Sequence, residues 1–166
     1  MKSLIVFLAV CLLISPSEAN GKEKPKVAPD LTKDINVDRE LTYNLGATGL
    51  RGWIFTKPED YFESQQGRTT AQSRQILVTH VGKKSPADGV IKVDDVILGA
   101  GGKMFTDDAR VSIALAIQEA EKKNNQGVLS LAVWRSGKVE NLTIKLQVMG
   151  AYSETAPYEC AKSKLI

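Results

Sequence analysis

The stretch SPADGVIKVDDVIL at residues 85–98 constrains the fold most, because it combines a helix start, a turn and a buried strand. Ser85 can cap a short helix whose first position is Pro86, where a missing N–H costs nothing and a fixed φ is favourable. Gly89 ends that turn of helix. The apolar, β-branched run Val96–Leu98 then predicts a short buried strand. The stretch therefore predicts a short helix, a turn and a core strand in immediate succession.

The first nineteen residues have the pattern of a secretory signal peptide. Lys2 precedes an apolar run at residues 4–14, and the small-x-small pattern of a signal-peptidase site follows at residues 17–19. An apolar run of this length, at about 1.5 Å per residue, is too short to cross a hydrocarbon core of about 30 Å. We therefore expect cleavage of residues 1–19, a secreted or periplasmic location, and no stable membrane insertion of the mature chain.

Composition argues against several functional classes. Removal of residues 1–19 takes away Lys2 and Glu18, so 22 Lys and Arg become 21, 19 Asp and Glu become 18, and the net charge stays at +3. The basic residues are scattered rather than clustered, which does not fit a nucleic-acid interface. Cys160 alone remains after processing, which excludes an internal disulfide. The sequence has no metal-ligand cluster, phosphate-binding loop or dinucleotide glycine motif, so no metal and no cofactor are expected.

The mature chain divides into three parts. Residues 20–40 are polar, contain two prolines and predict a flexible linker. Residues 41–149 have the size of one compact domain, and residues 150–166 form a C-terminal tail. Within the domain the patterns predict, in order, two strands separated by a long surface loop, the short helix, a strand, a long helix and a hairpin. The long helix is predicted to start with Thr106 as its N-cap and to end near Lys123.

This order of elements resembles PDZ domains of the bacterial type, which occur in periplasmic heat-shock serine proteases and tail-specific proteases. The motif SPADG follows the strand QILVTHV, DDVILGAGGK precedes the long helix, and VWRSGK lies at the last hairpin. The resemblance implies an α+β fold: a single PDZ domain, built as a small antiparallel β-sandwich or partly open barrel of five to six strands with one short and one long helix. Asp94 departs from the pattern, because these domains usually have glycine there, but aspartate tolerates a left-handed backbone better than most residues.

A narrower resemblance is to a family of secreted bacterial PDZ-containing proteins. Three segments carry it: LGATGLRGWIFT, SPADGVIKVDDVILGAGG and MGAYSETAPYECAKSKLI. In that family the PDZ domain precedes a longer, largely helical region, whose start would correspond to residues 150–166. The resemblance leaves open whether the chain is a short member of the family or part of a longer protein.

The resemblance also implies a binding site. PDZ domains bind extended or C-terminal peptides, because the ligand adds a strand to a sheet edge beside the long helix. A glycine-containing loop holds the ligand carboxylate through its backbone N–H groups, the following residues start the strand that pairs with the ligand, and one helix face completes the groove. The implied peptide-binding residues are Leu50, Arg51, Gly52 and Trp53 in the loop, Ile54 and Phe55 in the strand, and Arg110, Ala114 and Ile117 on the helix.

The implied groove permits a specificity hypothesis. Many eukaryotic PDZ domains have a histidine where this chain has Arg110, whose side chain has only donors. We therefore expect a ligand with an acidic or carbonyl-bearing residue two positions before its end. The last side chain of the ligand is expected to enter an apolar pocket lined by Leu50, Ile54 and Ile117.

We do not expect catalysis by this chain. A serine-protease triad needs a histidine base, and the single histidine, His80, lies on a predicted strand. The leading hypothesis is a non-catalytic secreted module that captures extended or C-terminal peptide segments of other proteins. The alternatives are a regulatory or substrate-recognition PDZ part of a larger protease-like or helical protein, a structural spacer, and self-capture of the apolar Leu165–Ile166 terminus.

Overall fold

The computed structural model describes residues 29–55, 74–106 and 108–149. The predicted signal peptide, the predicted tail and most of the predicted surface loop lie outside these ranges. The strands are β1 (Tyr43–Asn44), β2 (Leu50–Trp53), β3 (Ile76–Val81), β4 (Val96–Ala100), β5 (Lys103–Met104), β6 (Val128–Arg135) and β7 (Lys138–Lys145), and the helix α1 (Ala109–Ala120) lies between β5 and β6.

The strands form one antiparallel sheet with the order β1-β2-β3-β4-β6-β7, and β5 pairs with β4. The sheet is not closed into a barrel, since β1 and β7 lie at opposite ends of this order. The α+β, PDZ-like fold expected from the sequence is thus confirmed. Seven strands are present among the described residues because β1 and β5, each of two residues, add to the predicted set.

The hairpin of β6 and β7 follows directly from local sequence. Arg135 and Lys138 face each other across a two-residue turn, and the turn residues Ser136 and Gly137 have φ of +48° and +84°. Two consecutive positive φ values give a turn whose twist matches that of the strands. The predicted hairpin with its connection at residues 135–138 is therefore confirmed.

Helix α1 begins two residues later than the predicted N-cap implied. The carboxylate of Asp108, rather than the hydroxyl of Thr106, caps the helix and accepts a hydrogen bond from the backbone N–H of Arg110 at 2.9 Å. Aspartate is among the best N-cap residues, so the cap forms at the aspartate next to the first apolar position. One face of α1 is buried against the sheet through Ala109, Ile113, Ile117 and Ala120.

The segment that starts at Ser85 forms consecutive turns, so the predicted short helix is not present. Asp88 N–H donates to the Ser85 carbonyl at 3.0 Å, and Ile91 N–H donates to the Ala87 carbonyl at 2.9 Å. Gly89 has a φ of +77°, and this left-handed residue ends the helical path after a single turn. Asp94 has a φ of +75°, a left-handed conformation that aspartate tolerates better than most residues.

The sheet is packed on both faces. Helix α1 covers the main core, which includes Leu50, Ile97 and Leu131. The other face carries a second hydrophobic cluster, which consists of Leu31, Trp53, Phe55, Leu77 and Val96. Leu31 belongs to the stretch predicted as a linker, yet it is 4% exposed and its N–H donates to Gln75 Oε1 at 2.8 Å. The packed part of the described chain therefore includes this N-terminal segment.

Asp30 joins the N-terminal segment to Gln75, the residue before β3. Its Oδ1 accepts hydrogen bonds from the Thr32 hydroxyl at 2.7 Å, from Thr32 N–H at 3.2 Å and from Gln75 Nε2 at 3.3 Å. The Thr32 hydroxyl contributes most to holding the pKa of Asp30 below its ordinary value of 3.8, with smaller contributions in the same direction from Gln75 and Lys33.

This carboxylate predicts a pH dependence of stability. Because the pKa of Asp30 is lower in the folded state, its contribution is complete above the unfolded pKa and is lost as the pH falls through the folded pKa. We expect the difference in free energy of unfolding between the wild type and Asp30→Asn to be constant near neutral pH and to shrink below about pH 4. Urea denaturation of both proteins between pH 7 and pH 3 measures it. A difference that is the same at every pH would contradict the prediction.

No helix within the described ranges combines the length and the apolar character that a membrane span requires.

Candidate functional site

A cleft of about 440 Å³ lies between helix α1 and the segment that contains β1. Both walls are formed by short, local pieces of chain, and the floor is apolar. The lining residues are Tyr43, Asn44, Leu45, Gly46, Ala47, Ile54, Arg110, Ile113, Ala114, Ile117, Gln118, Glu121 and Met149.

The helix wall contains all three helix residues implied by the sequence. Arg110, Ala114 and Ile117 are spaced by four and three residues and therefore lie on one face of α1. Ile117 is 8% exposed and joins the floor of the cleft to the core, whereas Ala114 is exposed. The small side chain of Ala114 leaves the centre of the cleft open.

The opposite wall is formed by residues 43–47, which the sequence reasoning did not assign to the site. These residues lead into and begin a tight turn at Gly46–Thr48, where Gly46 and the following Gly49 have φ of +60° and +75°. Gly49 also permits a close approach, because a Cβ built there would lie 2.1 Å from Cβ of Ser85. The signal that was available in the sequence is the LGATG motif, whose two glycines mark this turn.

The structure does not place the predicted carboxylate loop in the cleft. Leu50 has no exposed surface and belongs to the main core, and Trp53 and Phe55 belong to the second cluster. Gly52 is required by packing within the sheet, because a Cβ there would lie 2.4 Å from Cγ2 of Ile76. Arg51 is exposed and donates hydrogen bonds to Thr42.

Of the nine predicted residues, four line the cleft: Ile54, Arg110, Ala114 and Ile117. Of the three residues expected around the last ligand side chain, Ile54 and Ile117 line the cleft and Leu50 lies in the main core. Ile54 and Phe55, the expected ligand-pairing residues, follow the end of β2 at Trp53, and β2 pairs with β1 on one edge and with β3 on the other.

Arg110 is held at one end of the cleft by two neighbours. Its Nε donates to both carboxylate oxygens of Asp108, at 3.0 and 3.2 Å, and its Cζ lies 5.5 Å from the centroid of the Tyr43 ring. The hydrogen bonds to Asp108 are the largest cause that raises the pKa of Arg110. The guanidinium is therefore charged at any physiological pH, and its charge is balanced locally by Asp108.

The other end of the cleft is formed where the chain returns after β7. Met149 N–H donates to the Glu121 carbonyl at 3.1 Å, just beyond the last residue of α1. The side chains of Met149, Gln118 and Glu121 complete the lining there. The cleft thus has an apolar middle with a polar group at each end, which suits an extended segment of peptide chain better than a compact polar molecule.

The fold and the cleft define a small α+β, PDZ-like domain with an open cleft between a sheet edge and its helix. No family model matches the chain, and no curated protein matches it. Among solved structures, the chain is similar to the HtrA-type protease AlgW in two structures with a decapeptide. A substituted form of AlgW shares 24% identity over 70% of this chain and 30% of its own, with a TM-score of 0.39. The second AlgW structure shares 25% identity over 59% of this chain and 29% of its own, with a TM-score of 0.35.

This chain therefore aligns with less than a third of AlgW. The domain is PDZ-like in its own strand order, helix and cleft.

Proposed function

We propose that this protein is a non-catalytic, secreted or periplasmic module that binds extended peptide segments, including C-terminal ones, by β-strand addition at the sheet edge facing α1. One observation carries the proposal: an open cleft of about 440 Å³ runs along this edge with an apolar middle. Sheet edges beside a groove bind peptides through main-chain hydrogen bonds, and the groove selects side chains. Leu45, Ile54 and Ile117 provide the apolar contacts.

The size of the cleft limits the affinity. A volume near 440 Å³ accommodates a few side chains, and such a contact buries much less area than a standard protein interface. Dissociation constants near a micromolar, which correspond to about 8 kcal/mol, are therefore expected.

The surroundings of Arg110 refine the expected ligand. Asp108 already balances the charge of this guanidinium, so an acidic ligand residue would meet a carboxylate as well as a cation. A neutral acceptor, such as a backbone carbonyl or a side-chain amide, gains a hydrogen bond without that repulsion. We therefore favour the carbonyl-bearing ligand over the acidic one at this position.

The experiment that tests the proposal is a screen of residues 20–166 against peptides with free C-termini, with every hit remeasured as its C-terminal amide. Binding lost on amidation identifies a site that reads the carboxylate. Binding kept on amidation identifies a site for extended internal segments. Absence of any binding peptide would overturn the proposed function.

A charged side chain in the middle of the cleft is expected to abolish peptide binding. Ala114→Arg fills the open centre of the cleft, so we expect the affinity for any peptide found in the screen to fall at least about tenfold, which corresponds to about 1.4 kcal/mol. The fold is expected to tolerate the change, since Ala114 is exposed and arginine is a good helix former. Isothermal titration calorimetry measures the affinity.

Leu115→Arg is the matched control. Leu115 is the next residue on α1, is 59% exposed and does not line the cleft. We expect this variant to bind with the affinity of the wild type. Equal losses in both variants would show that the effect comes from added charge or from the helix, not from the cleft.

The second candidate function is a regulatory or substrate-recognition part of a larger protein. The position of Met149 favours this second function. Met149 lines the cleft, so the residues that follow it in the chain leave from that end of the site. Self-capture of Leu165–Ile166 belongs to the same class. Nuclear magnetic resonance of the chain with and without its last three residues tests self-capture, through the backbone signals of Ala114 and Ile117.

A further inference from the structure

The edge of β2 that does not pair with β3 is occupied by the chain's own β1, which is the end strand of the sheet. β1 pairs with β2 in antiparallel register, with Tyr43 opposite Gly52 and Asn44 opposite Arg51. The other edge of β2 pairs with β3. A peptide strand can therefore pair with β2 only after β1 has left that edge.

The cleft does not have room for a peptide strand between β1 and α1 at the Tyr43 end. Cζ of Arg110 lies 5.5 Å from the centroid of the Tyr43 ring, so the two walls are already in contact there. Neighbouring strands lie about 4.8 Å apart, and the added strand needs further space for its own side chains. A peptide cannot pair with β1 along its length while this contact holds.

β1 is held much more firmly at its turn than at its start. On the turn side, Leu45 N–H donates to the Leu50 carbonyl at 3.0 Å, and Leu45 itself is 4% exposed. On the other side, Tyr43 is 38% exposed, and Thr42 is held by two exposed hydrogen bonds from Arg51, at 3.0 and 3.1 Å. Segments with exposed hydrogen bonds and few buried contacts open at low cost. β1 can therefore separate from β2 while the turn stays closed.

We propose that β1 is an internal strand that occupies the peptide's position on β2 and controls access to the cleft, with the Tyr43–Arg110 contact as its fastening. This inference rests on the proposed peptide binding. In the closed form, Tyr43–Asn44 pairs with β2 and Tyr43 contacts Arg110. In the open form, the peptide takes the vacated edge of β2 and lies along α1. The apparent affinity for peptide is then reduced by the fraction of molecules in which β1 is open.

The first test weakens the fastening. In Tyr43→Ala the ring beneath the guanidinium is removed, so β1 opens more often, and we expect the peptide found in the screen to bind about three- to fivefold tighter than to the wild type. Val139→Ala is the matched control. Val139 lies on β7, is 57% exposed and does not line the cleft. This control is expected to bind as the wild type does.

The outcomes of this test separate the inference from the function on which it rests. Tighter binding by Tyr43→Ala than by the wild type, with Val139→Ala unchanged, supports the inference. Equal or weaker binding by Tyr43→Ala overturns it and leaves peptide binding in place, since Tyr43 would then be an ordinary wall of the cleft. Absence of binding to both proteins overturns the proposed function and the inference together.

Hydrogen exchange of backbone amides provides a second readout. The hydrogen bond from Leu45 N–H to Leu50 implies, by the alternation of antiparallel pairs, that Tyr43 and Gly52 form the next hydrogen-bonded pair. When peptide binds, we expect the Tyr43 amide to lose protection while the Gly52 amide keeps it, because the peptide replaces β1 as its partner. Retained protection at both amides would show that β1 stays in place and would overturn the inference.

Discussion

Arg135→Ala is expected to lower the free energy of unfolding by about 3–5 kcal/mol. The carboxylate of Asp95 is buried, 2% exposed, and Arg135 donates to its two oxygens at 2.8 and 2.6 Å. Arg135 also donates to the Val90 carbonyl at 2.9 Å. Removal of the guanidinium takes these donors away from the buried carboxylate. Among the described residues, the backbone N–H of Lys92 still donates to it, at 2.7 Å. An uncompensated buried charge is among the most destabilising changes a small domain can receive.

Urea denaturation at neutral pH measures this loss, and Glu140→Ala is its control. Glu140 is the second, more exposed partner of Arg135, at 3.6 Å and with 43% of its side chain exposed. An ion pair of this kind contributes about 0–1 kcal/mol, so Glu140→Ala is expected to change stability little. A loss below about 1 kcal/mol in Arg135→Ala would show that water or another group replaces the guanidinium beside Asp95.

Gly127→Ala is expected to destabilise the domain by about 2–4 kcal/mol. Gly127 has a φ of +76°, and a Cβ built there would lie 2.1 Å from the carbonyl oxygen of Leu146. The same residue donates to the Ala120 carbonyl and accepts from Leu146 N–H, both at 2.8 Å. The backbone at this point therefore joins the end of α1 to the segment after β7, and neither neighbour can move without breaking a hydrogen bond.

Gly102→Ala separates the two causes of that loss. Gly102 has the same φ of +76°, but no atom lies within 4 Å of the Cβ that would be added. Only the left-handed backbone is penalised there, at about 1–2 kcal/mol. Thermal denaturation of both variants compares them. If both lost the same stability, the contact with Leu146 would have no cost and the prediction for Gly127 would be wrong.

The elements that sequence reasoning predicted correctly are those specified by neighbouring residues. The turn at Ser136 and Gly137 needs two positive φ values, and the sequence provides residues that tolerate them. The resemblance to PDZ domains implied Arg110, Ala114 and Ile117 on the helix side of the groove, and their spacing of four and three places them on one face wherever the helix begins.

The other wall could not be chosen from the sequence in the same way. Both LGATG and LRGW contain a glycine near the start of the domain, and either can let a backbone approach a ligand. Packing decides between them, since Gly52 is required by Ile76 on β3, whereas Gly46 lies in the turn that lines the cleft. A contact between residues so far apart in sequence leaves no local pattern.

The N-terminal segment shows the same limit. Its polar composition predicts a linker, but a single apolar residue, Leu31, completes the second cluster. The hydrogen bond that holds Leu31 joins it to Gln75, 44 residues away in sequence. Composition averages over a stretch and cannot report one residue that is buried by a distant partner.

The position of β4 between β3 and β6 has a consequence for synthesis of the protein on the ribosome. β4 is a central strand whose pairing is completed by β6. The carboxylate of Asp95, just before β4, is paired by Arg135 at the end of β6. Until the final hairpin has left the exit tunnel, the nascent chain carries a half-paired central strand and an uncompensated carboxylate. Folding of this domain can therefore be completed only after its last hairpin has been translated.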